Sequence, residues 1–355
     1  MEKVIVGMSG GVDSAVAAYL LKAAGYDVTG VTLRVWQSDA GEDGRCCDID
    51  DARDTAFRIG IPYYPINCTS VFNKRVVDPF VDGYLRGTTP NPCIECNRFV
   101  KWEKLVYYAK ALGAKYVATG HYASVVRNEN GRFTLKRALH SEKDQTYMLY
   151  KLTQEQLAAT LMPLGELSKS EVRQIAKDAQ FSCAGKRDSQ EVCFVTGGSY
   201  ADFIEARTGK IGDGLFVDEA GRSLGEHRGY IRYTVGQRKG LGIALGHPAY
   251  VKEIRPETNE VVIGSAESLY SRGVICDDVN YMSVDGIAKG DGMRSCVKIR
   301  FRAAGKTATV ESIAPDRVRI IFDEPARGAA PGQSAVFYDE RGCIIGGGVI
   351  AGIIR

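Results

Sequence analysis

The sequence predicts an α/β protein: a doubly wound parallel sheet with helices on both faces, followed by two small mainly-β domains. Three observations carry this. Short apolar strands alternate with helical segments up to Thr119. A glycine-rich turn joins the first strand to the first helix. From about Gly209 the helical period disappears, and short alternating segments between turn residues replace it.

Residues 3–6 read as an apolar strand. A glycine turn then leads into a helix from about Ser14, with Val16, Leu20 and Ala23 on one face and Gly25 closing it. Residues 28–35 and 63–67 are strands, and residues 50–59 are a helix stopped by Gly60 and Pro62. Residues 71–85 and 99–112 are helices, and residues 115–119 are a strand again. Strands spaced by helices pair in parallel through right-handed crossovers. The turn Asn128–Gly131 between residues 122–127 and 132–137 marks a hairpin. Helices are expected around residues 145–151, 154–160 and 169–179, and residues 181–198 lack any period and read as a loop. Strands are then expected at residues 215–217, 249–254, 261–263, 295–301, 307–313, 317–322 and 334–338, in two β modules split near Arg272 and Gly273.

At about 150 residues per domain, 355 residues predict two or three domains. We divide the chain into residues 1–200, 201–272 and 273–355. A composition 45% hydrophobic and 25% charged excludes disordered and collagen-like chains, and ten cysteines are too few for a disulfide-dense scaffold. There is no run of about 18 apolar residues to span a membrane. The start, MEKVIVGMSGGVDS, lacks a signal peptide's apolar region, so the expected location is the cytoplasm. A net charge of +3 does not by itself mark a nucleic-acid binder. Between residues 295 and 320, however, six basic residues (Lys298, Arg300, Arg302, Lys306, Arg317, Arg319) stand against Glu311 and Asp316. Such a stripe suits either phosphate contacts or a solvated sheet face.

The sharpest local signal is SGGVDS, residues 9–14, directly after the first strand. Glycines admit positive φ and let backbone N–H groups approach an anion, and the helix that starts here turns its positive end to the same point. The hydroxyls of Ser9 and Ser14 add donors. No lysine follows the glycines as in GxxxxGK[ST], and GxGxxG is absent. Leu33 and the pair Gly120-His121 lie at carboxyl ends of strands, where ligands bind in such sheets. A core leucine and a structural histidine are the alternatives.

Cys93-Ile94-Glu95-Cys96 sits in a proline-rich loop just before the helix at residues 99–112. A thiol at a helix N-terminus ionises more easily and becomes a better nucleophile. CxxC alone admits a redox pair, half a zinc site or coincidence, and no second CxxC or HxxxH completes a zinc knuckle. Cys193 lies in the second loop. Two thiols on separate loops suit a relay in which one carries a persulfide and the other resolves it. Cys46, Cys47, Cys68, Cys183, Cys276, Cys296 and Cys343 read as buried or incidental thiols.

SGGVDS resembles the pyrophosphate loop of the N-type ATP pyrophosphatases. Together with ATGHYA (residues 118–123), TPNPxxxCN, KDQTYML (residues 143–149), GKRDSQEVCF, YTVGQRKGLG (residues 233–242), FDEP and PGQSAVFY, it resembles the bacterial tRNA-specific 2-thiouridylases from residue 3 to about residue 350. The resemblance implies that the last domain is a β-barrel contacting tRNA. It implies adenylation by ATP and Mg²⁺ of the 2-oxygen of the wobble uridine in tRNAs for lysine, glutamate and glutamine, with the base flipped into the pocket. Cys193 would receive sulfur as a persulfide from a cysteine desulfurase or relay protein. Cys96 would be the nucleophile, ending as a disulfide with Cys193. Asp13 would help hold Mg²⁺-pyrophosphate. Gly7, Met8, Ser9, Gly10, Gly11, Val12, Asp13, Ser14, Leu33 and Gly120 match nucleotide-binding positions. Asn91, Pro92 and Cys93 match the segment beside the target base, and His121, Lys143, Asp144, Gln145, Arg300, Phe301 and Gln333 match tRNA contacts.

One position departs from the commoner TPNPDxxCN: the Asp is Cys93 here. Three thiols, Cys93, Cys96 and Cys193, could instead hold an iron–sulfur cluster with one iron open. Two further readings stay in play. One is another ATP-dependent ligase or amidating enzyme on the same loop, and the other is a non-catalytic RNA-binding module.

Overall fold

The computed structural model describes residues 1–36, 48–186, 192–196, 198–243 and 245–355. Cys46, Cys47 and residues 187–191 of the GKRDSQEVCF motif lie outside them.

Strands β1 (Lys3–Gly7), β2 (Asp27–Arg34), β3 (Tyr63–Asn67) and β4 (Tyr116–Thr119) follow the expected alternation. The pair β5 (Ala123–Arg127) and β6 (Phe133–Arg137) forms the expected antiparallel hairpin, and β7 (Thr160–Leu161) is a short addition. The first sheet is ordered β3-β2-β1-β4-β7, all parallel. Alternate side chains of β1 enter different cores. Val4 and Val6 pack with Ala18, Leu21, Ala52 and Ala56, whereas Ile5 packs on the other face with Val31, Leu105 and Val117. Burial on both faces explains why β1 reads as an uninterrupted apolar run. The order reverses between β1 and β4, and Gly7 lies opposite Thr119 at their carboxyl ends. That is where this architecture opens a crevice.

One boundary differs from expectation in a way that matters. The helix expected from residue 99 begins at Pro92, so Cys93 and Cys96 are helical rather than in the loop before it. Asn91 is the reason. Its side chain accepts from the Cys93 backbone N–H at 3.2 Å, and Pro92 follows at the first helical position. The run continues as a π-helical segment, Cys96–Trp102, and then as the α-helix Glu103–Ala111.

The helix Tyr200–Thr208, capped reciprocally by Ser199 and Asp202, leads into a four-stranded sheet. Its order is β10 (Tyr250–Arg255), β11 (Glu260–Gly264), β8 (Gly214–Val217), β9 (Ser223–His227). The last module is a closed barrel of β12 (Tyr270–Tyr281), β13 (Gly292–Lys298), β14 (Lys306–Ala314), β15 (Arg317–Arg327), β16 (Ser334–Tyr338) and β17 (Ile344–Ile354). Val274, Val297, Val310, Val318, Ile320, Phe337 and Ile350 fill it. The expected strand at residues 295–301 ends at Lys298, leaving Arg300 and Phe301 in the turn beyond. β12 carries a bulge between Asp277 and Asn280, with Asp278 at φ 51°. No helix of the described residues is long and apolar enough to cross a membrane.

Candidate nucleotide and thiol site

The turn after β1 is pinned by its own atoms. Ser14 Oγ accepts from the Ser9 backbone N–H at 3.1 Å and donates to the Gly11 carbonyl at 3.0 Å. Met8 is buried, donating its N–H to Val31 and accepting from Thr32 Oγ1 at 2.6 Å. Gly10 has φ 75°, and a Cβ there would lie 2.4 Å from the Asp48 carbonyl oxygen, so both backbone and space require glycine. Gly11 is the N-cap of the helix α1 (Val12–Ala23) and supplies no side-chain cap. Val12, Asp13 and Ser14 therefore present first-turn N–H groups without a capping side chain, on the positive end of a twelve-residue helix.

Asp13 stands at the mouth of this turn. Its carboxylate accepts from Tyr122 Oη at 2.8 Å and from Lys169 Nζ at 2.7 and 2.9 Å. Tyr122 is itself seated by Gln145, whose side chain accepts the Tyr122 N–H at 2.9 Å while its own N–H goes to the Tyr122 carbonyl. Gln145 thus acts in the structure as the seat of an Asp13 partner. Gly120 packs directly on the Asp13–Ser14 backbone. Leu33 is a buried member of the sheet core. Lys186, from the second loop, pairs with Asp48 at 2.6 Å and with Asp51. This brings a cation of the GKRDSQEVCF motif beside the residue that closes over Gly10.

His121 has a half-buried ring against Trp102 at 5.3 Å, and its Nδ1 shares a hydrogen bond with Thr119 Oγ1 at 2.7 Å. Burial, then the Lys101 charge, hold it well below the ordinary histidine range, so it is neutral at pH 7. Asp144 is buried and committed to Thr146, whose hydroxyl donates at 2.8 Å. Lys143 is half-buried at the end of a short 3₁₀ turn.

Cys93 is exposed, Cys96 is buried one helical turn on, and Cys193 is half-buried. Cys193 packs against the same core that contains Cys96, anchored by Phe194, whose ring lies 5.6 Å from Phe72 and 5.2 Å from Phe80. Cys68, Cys183, Cys276 and Cys343 are buried, and Cys296 is half-buried. Among the described residues, no three His, Cys, Asp or Glu side chains converge as a metal's ligands.

Three expected tRNA contacts are occupied by other modules. Arg300 Nη2 donates to the Val235 carbonyl at 2.8 Å, its guanidinium packed beside Gly236 and Gly328. Gln333 Nε2 donates to the Thr89 carbonyl at 2.7 Å. Phe301 lies 6.1 Å from the Tyr147 ring. Within the basic stripe, Lys306, Arg317 and Arg319 pair with Glu324, Asp277 and Glu311. These exposed pairs are weak and open to exchange for phosphates. Sequence reasoning passed over Tyr122, Lys169 and Lys151. The signals for the first two were their neighbours, a strand end and the Ser168 capping box.

A parallel sheet with an uncapped, glycine-rich helix start at its switch point, joined to a helix-borne thiol, a second thiol in the GKRDSQEVCF motif and two β modules, fits the class of nucleotide-dependent group-transfer enzymes. Residues 2–197 match the family described as the tRNA methyl transferase HUP domain. Residues 201–265 match the tRNA methyl transferase PRC-barrel domain, and residues 271–350 the aminomethyltransferase beta-barrel domain. The chain is 52% identical to the tRNA-specific 2-thiouridylase MnmA of Lachnoclostridium phytofermentans, covering 99% of each chain. It is 47% identical to that of Clostridioides difficile over 98% of each. It is 48% identical to that of Acetivibrio thermocellus over 98% of this chain and 99% of that one. The chain belongs to the tRNA-specific 2-thiouridylase (MnmA) family.

Proposed function

We propose that the chain is a tRNA-uridine 2-sulfurtransferase that adenylates the wobble uridine 2-oxygen with ATP and replaces it with sulfur. The observation that carries this is the first turn of α1, without a side-chain cap at the β1/β4 switch point, with Asp13 and Lys169 at its mouth. It stands in a chain that matches 2-thiouridylases along its full length. Residues 1–200 supply the adenylation and thiol chemistry, residues 201–272 form the central module, and residues 273–355 are the barrel that meets tRNA.

First-turn N–H groups and the α1 dipole hold the pyrophosphate as it leaves. The Asp13 carboxylate and the phosphates are the hard oxygen donors that Mg²⁺ prefers, and the ion would supply charge neutralisation there. Lys169 keeps Asp13 aimed at the turn. The Cys193 persulfide, loaded by a cysteine desulfurase or relay protein, attacks C2 through its terminal sulfur, and AMP departs with the oxygen. Cys96 thiolate then attacks the Cys193 sulfur. The bond between the two sulfurs breaks, its electron pair becomes the 2-thio group, and a Cys96–Cys193 disulfide remains for an external dithiol to reduce. The acceptors are tRNAs for lysine, glutamate and glutamine.

The test mixes protein, ATP, Mg²⁺, a sulfur source and unmodified glutamate tRNA under anaerobic, reducing conditions, and reads thiolated product on a mercury-containing gel. Retarded tRNA that needs ATP, Cys96 and Cys193 is the expected result. AMP release with a different acceptor, and activity that survives Cys96→Ser and Cys193→Ser, would point to another ATP-dependent ligase.

A further inference from the structure

The segment that carries Cys96 is held at both ends by side chains and backbone of the C-terminal barrel. At its start, the Thr89 N–H donates to the Pro331 carbonyl at 2.8 Å, and Gln333 Nε2 donates to the Thr89 carbonyl at 2.7 Å. At its other end, Lys151 is 3% exposed, and its ammonium lies 2.5 Å from Glu95 Oε1 and 2.6 Å from Asp278 Oδ2. Glu95 is the residue before Cys96, and Asp278 is the bulge residue of β12. Arg98, two residues past Cys96, reaches the other Asp278 oxygen at 3.5 Å.

This arrangement is costly to build, which argues that it does more than join two domains. Lys151 loses its water and needs both carboxylates to compensate it. Asp278 sits at φ 51°, in the left-handed region that non-glycine residues adopt only at a cost. A bulge re-aims a side chain, and here it turns Asp278 to Lys151. The next bulge-flanking residue, Asn280, donates to the Tyr150 carbonyl at 2.6 Å and so fixes the backbone beside Lys151. The Cys96 helix changes its hydrogen-bond register at the thiol itself, beside the Asn97 side chain that donates to the Met148 carbonyl at 2.9 Å. It begins with the four-residue turn Pro92–Glu95 and changes at Cys96 to π-helical bonding. The placement of the thiol therefore depends on what grips Glu95 and Thr89 as well as on its own core contacts.

We propose that Lys151 and Asp278 are positioning residues for sulfur transfer, through which the barrel sets the place of the Cys96 thiol. The proposal rests on the reading of Cys96 as the nucleophile. It makes thiol placement depend on the same module that meets tRNA, and it assigns Gln333 to the same task at the other end of the segment.

The test compares Asp278→Asn, Lys151→Met and Lys151→Arg with the native chain. Asparagine keeps the shape and tolerance of positive φ while removing the charge. Expected for Asp278→Asn and Lys151→Met is a fall in thiolation kcat of about tenfold or more, with KM for tRNA and pyrophosphate release within about twofold. Alkylation of Cys96 by iodoacetamide, followed on its peptide by mass spectrometry, becomes faster in both. Lys151→Arg, which retains the charge, recovers part of the kcat. Unchanged kcat and unchanged Cys96 alkylation, with only a lower melting temperature, overturn the proposal and leave an inter-domain fastener. If Lys151→Met does not fold, Asp278→Asn, at a half-exposed side chain, decides alone. If the native chain thiolates no tRNA, the sulfurtransferase reading fails, and the alkylation rates still decide whether the barrel sets the Cys96 segment.

Discussion

Gly120 lies against the backbone of Asp13: a Cβ on Gly120 would be 2.5 Å from the Asp13 carbonyl carbon and 2.6 Å from the Ser14 nitrogen. Both atoms are main chain at the start of α1, so no side-chain rotation relieves the clash. Gly120→Ala is expected to push the first turn of α1 out of line. ATP-dependent pyrophosphate release should fall by on the order of a hundredfold, the cost of about 1 Å of misplacement. Cys96 alkylation should not change, because Cys96 and Gly120 are not in the same helix. Release within twofold of native would show that the turn tolerates the shift.

Lys169 holds both oxygens of Asp13, and the pair is mostly shielded from water. Lys169→Met removes a charge-assisted hydrogen bond, a loss of roughly 1.5–3 kcal/mol. The kcat/KM for AMP formation should drop by roughly tenfold to a hundredfold. Lys169→Arg should restore a part of it. A chain with Lys169→Met that forms AMP at the native rate would remove Lys169 from the adenylation machinery.

Cys93 is exposed whereas Cys96 is buried one turn away. Under the persulfide relay, Cys93→Ala keeps most thiolation activity, while Cys96→Ser and Cys193→Ser abolish it. Anaerobically purified protein should then contain well under one iron per chain. Stoichiometric iron lost together with activity in Cys93→Ala would instead establish a cluster.

Arg300 donates to Val235 across two modules rather than standing open to a phosphate. Arg300→Met should cost roughly 1–3 kcal/mol of stability, read by denaturant titration. The salt dependence of tRNA binding should keep its slope, because a lost phosphate contact would lower it by about one. A reduced slope at unchanged stability would return Arg300 to the tRNA surface.

His227 is wedged between Phe216 at 5.1 Å and Tyr233 at 5.3 Å, and burial lowers it below its ordinary value of 6.5. In the unfolded chain it protonates first. Stability attached to it is therefore present above pH 6.5 and is lost as pH falls toward the folded-state value. The melting temperature should decline on acidification from neutral pH, and His227→Phe should flatten part of that slope. His121, shifted in the same direction, retains the rest. An unchanged slope in His227→Phe would place the titration elsewhere.

Local patterns carried far. The glycine turn at residues 9–14, the strand ends and the hairpin after Thr119 depend on neighbouring residues, and each was legible in order along the chain. Besides the two-residue β7, three strands were not. β17 contains Gly346-Gly347-Gly348, β12 contains Asp277-Asp278, and β9 is the short polar run Ser223–His227. None alternates cleanly, because barrel closure and bulges decide their faces. The proline-rich stretch around Cys93 reads as loop because prolines usually break helices. Asn91 and Pro92 instead start one, and only the cap geometry distinguishes the two.

The site divides the same way. By itself the sequence determined the sheet, the glycine turn after β1 and the candidate thiols, since those follow from local spacing and residue type. Tertiary structure decided which cations serve them. Lys169 is 156 residues from Asp13, and Asp278 is 127 from Lys151. It also gave Arg300 and Gln333, expected tRNA contacts, hydrogen-bond partners in other modules. The physical reason is that a charge's role depends on its nearest partner and its access to water, and both are set by chain segments that meet only in the folded molecule.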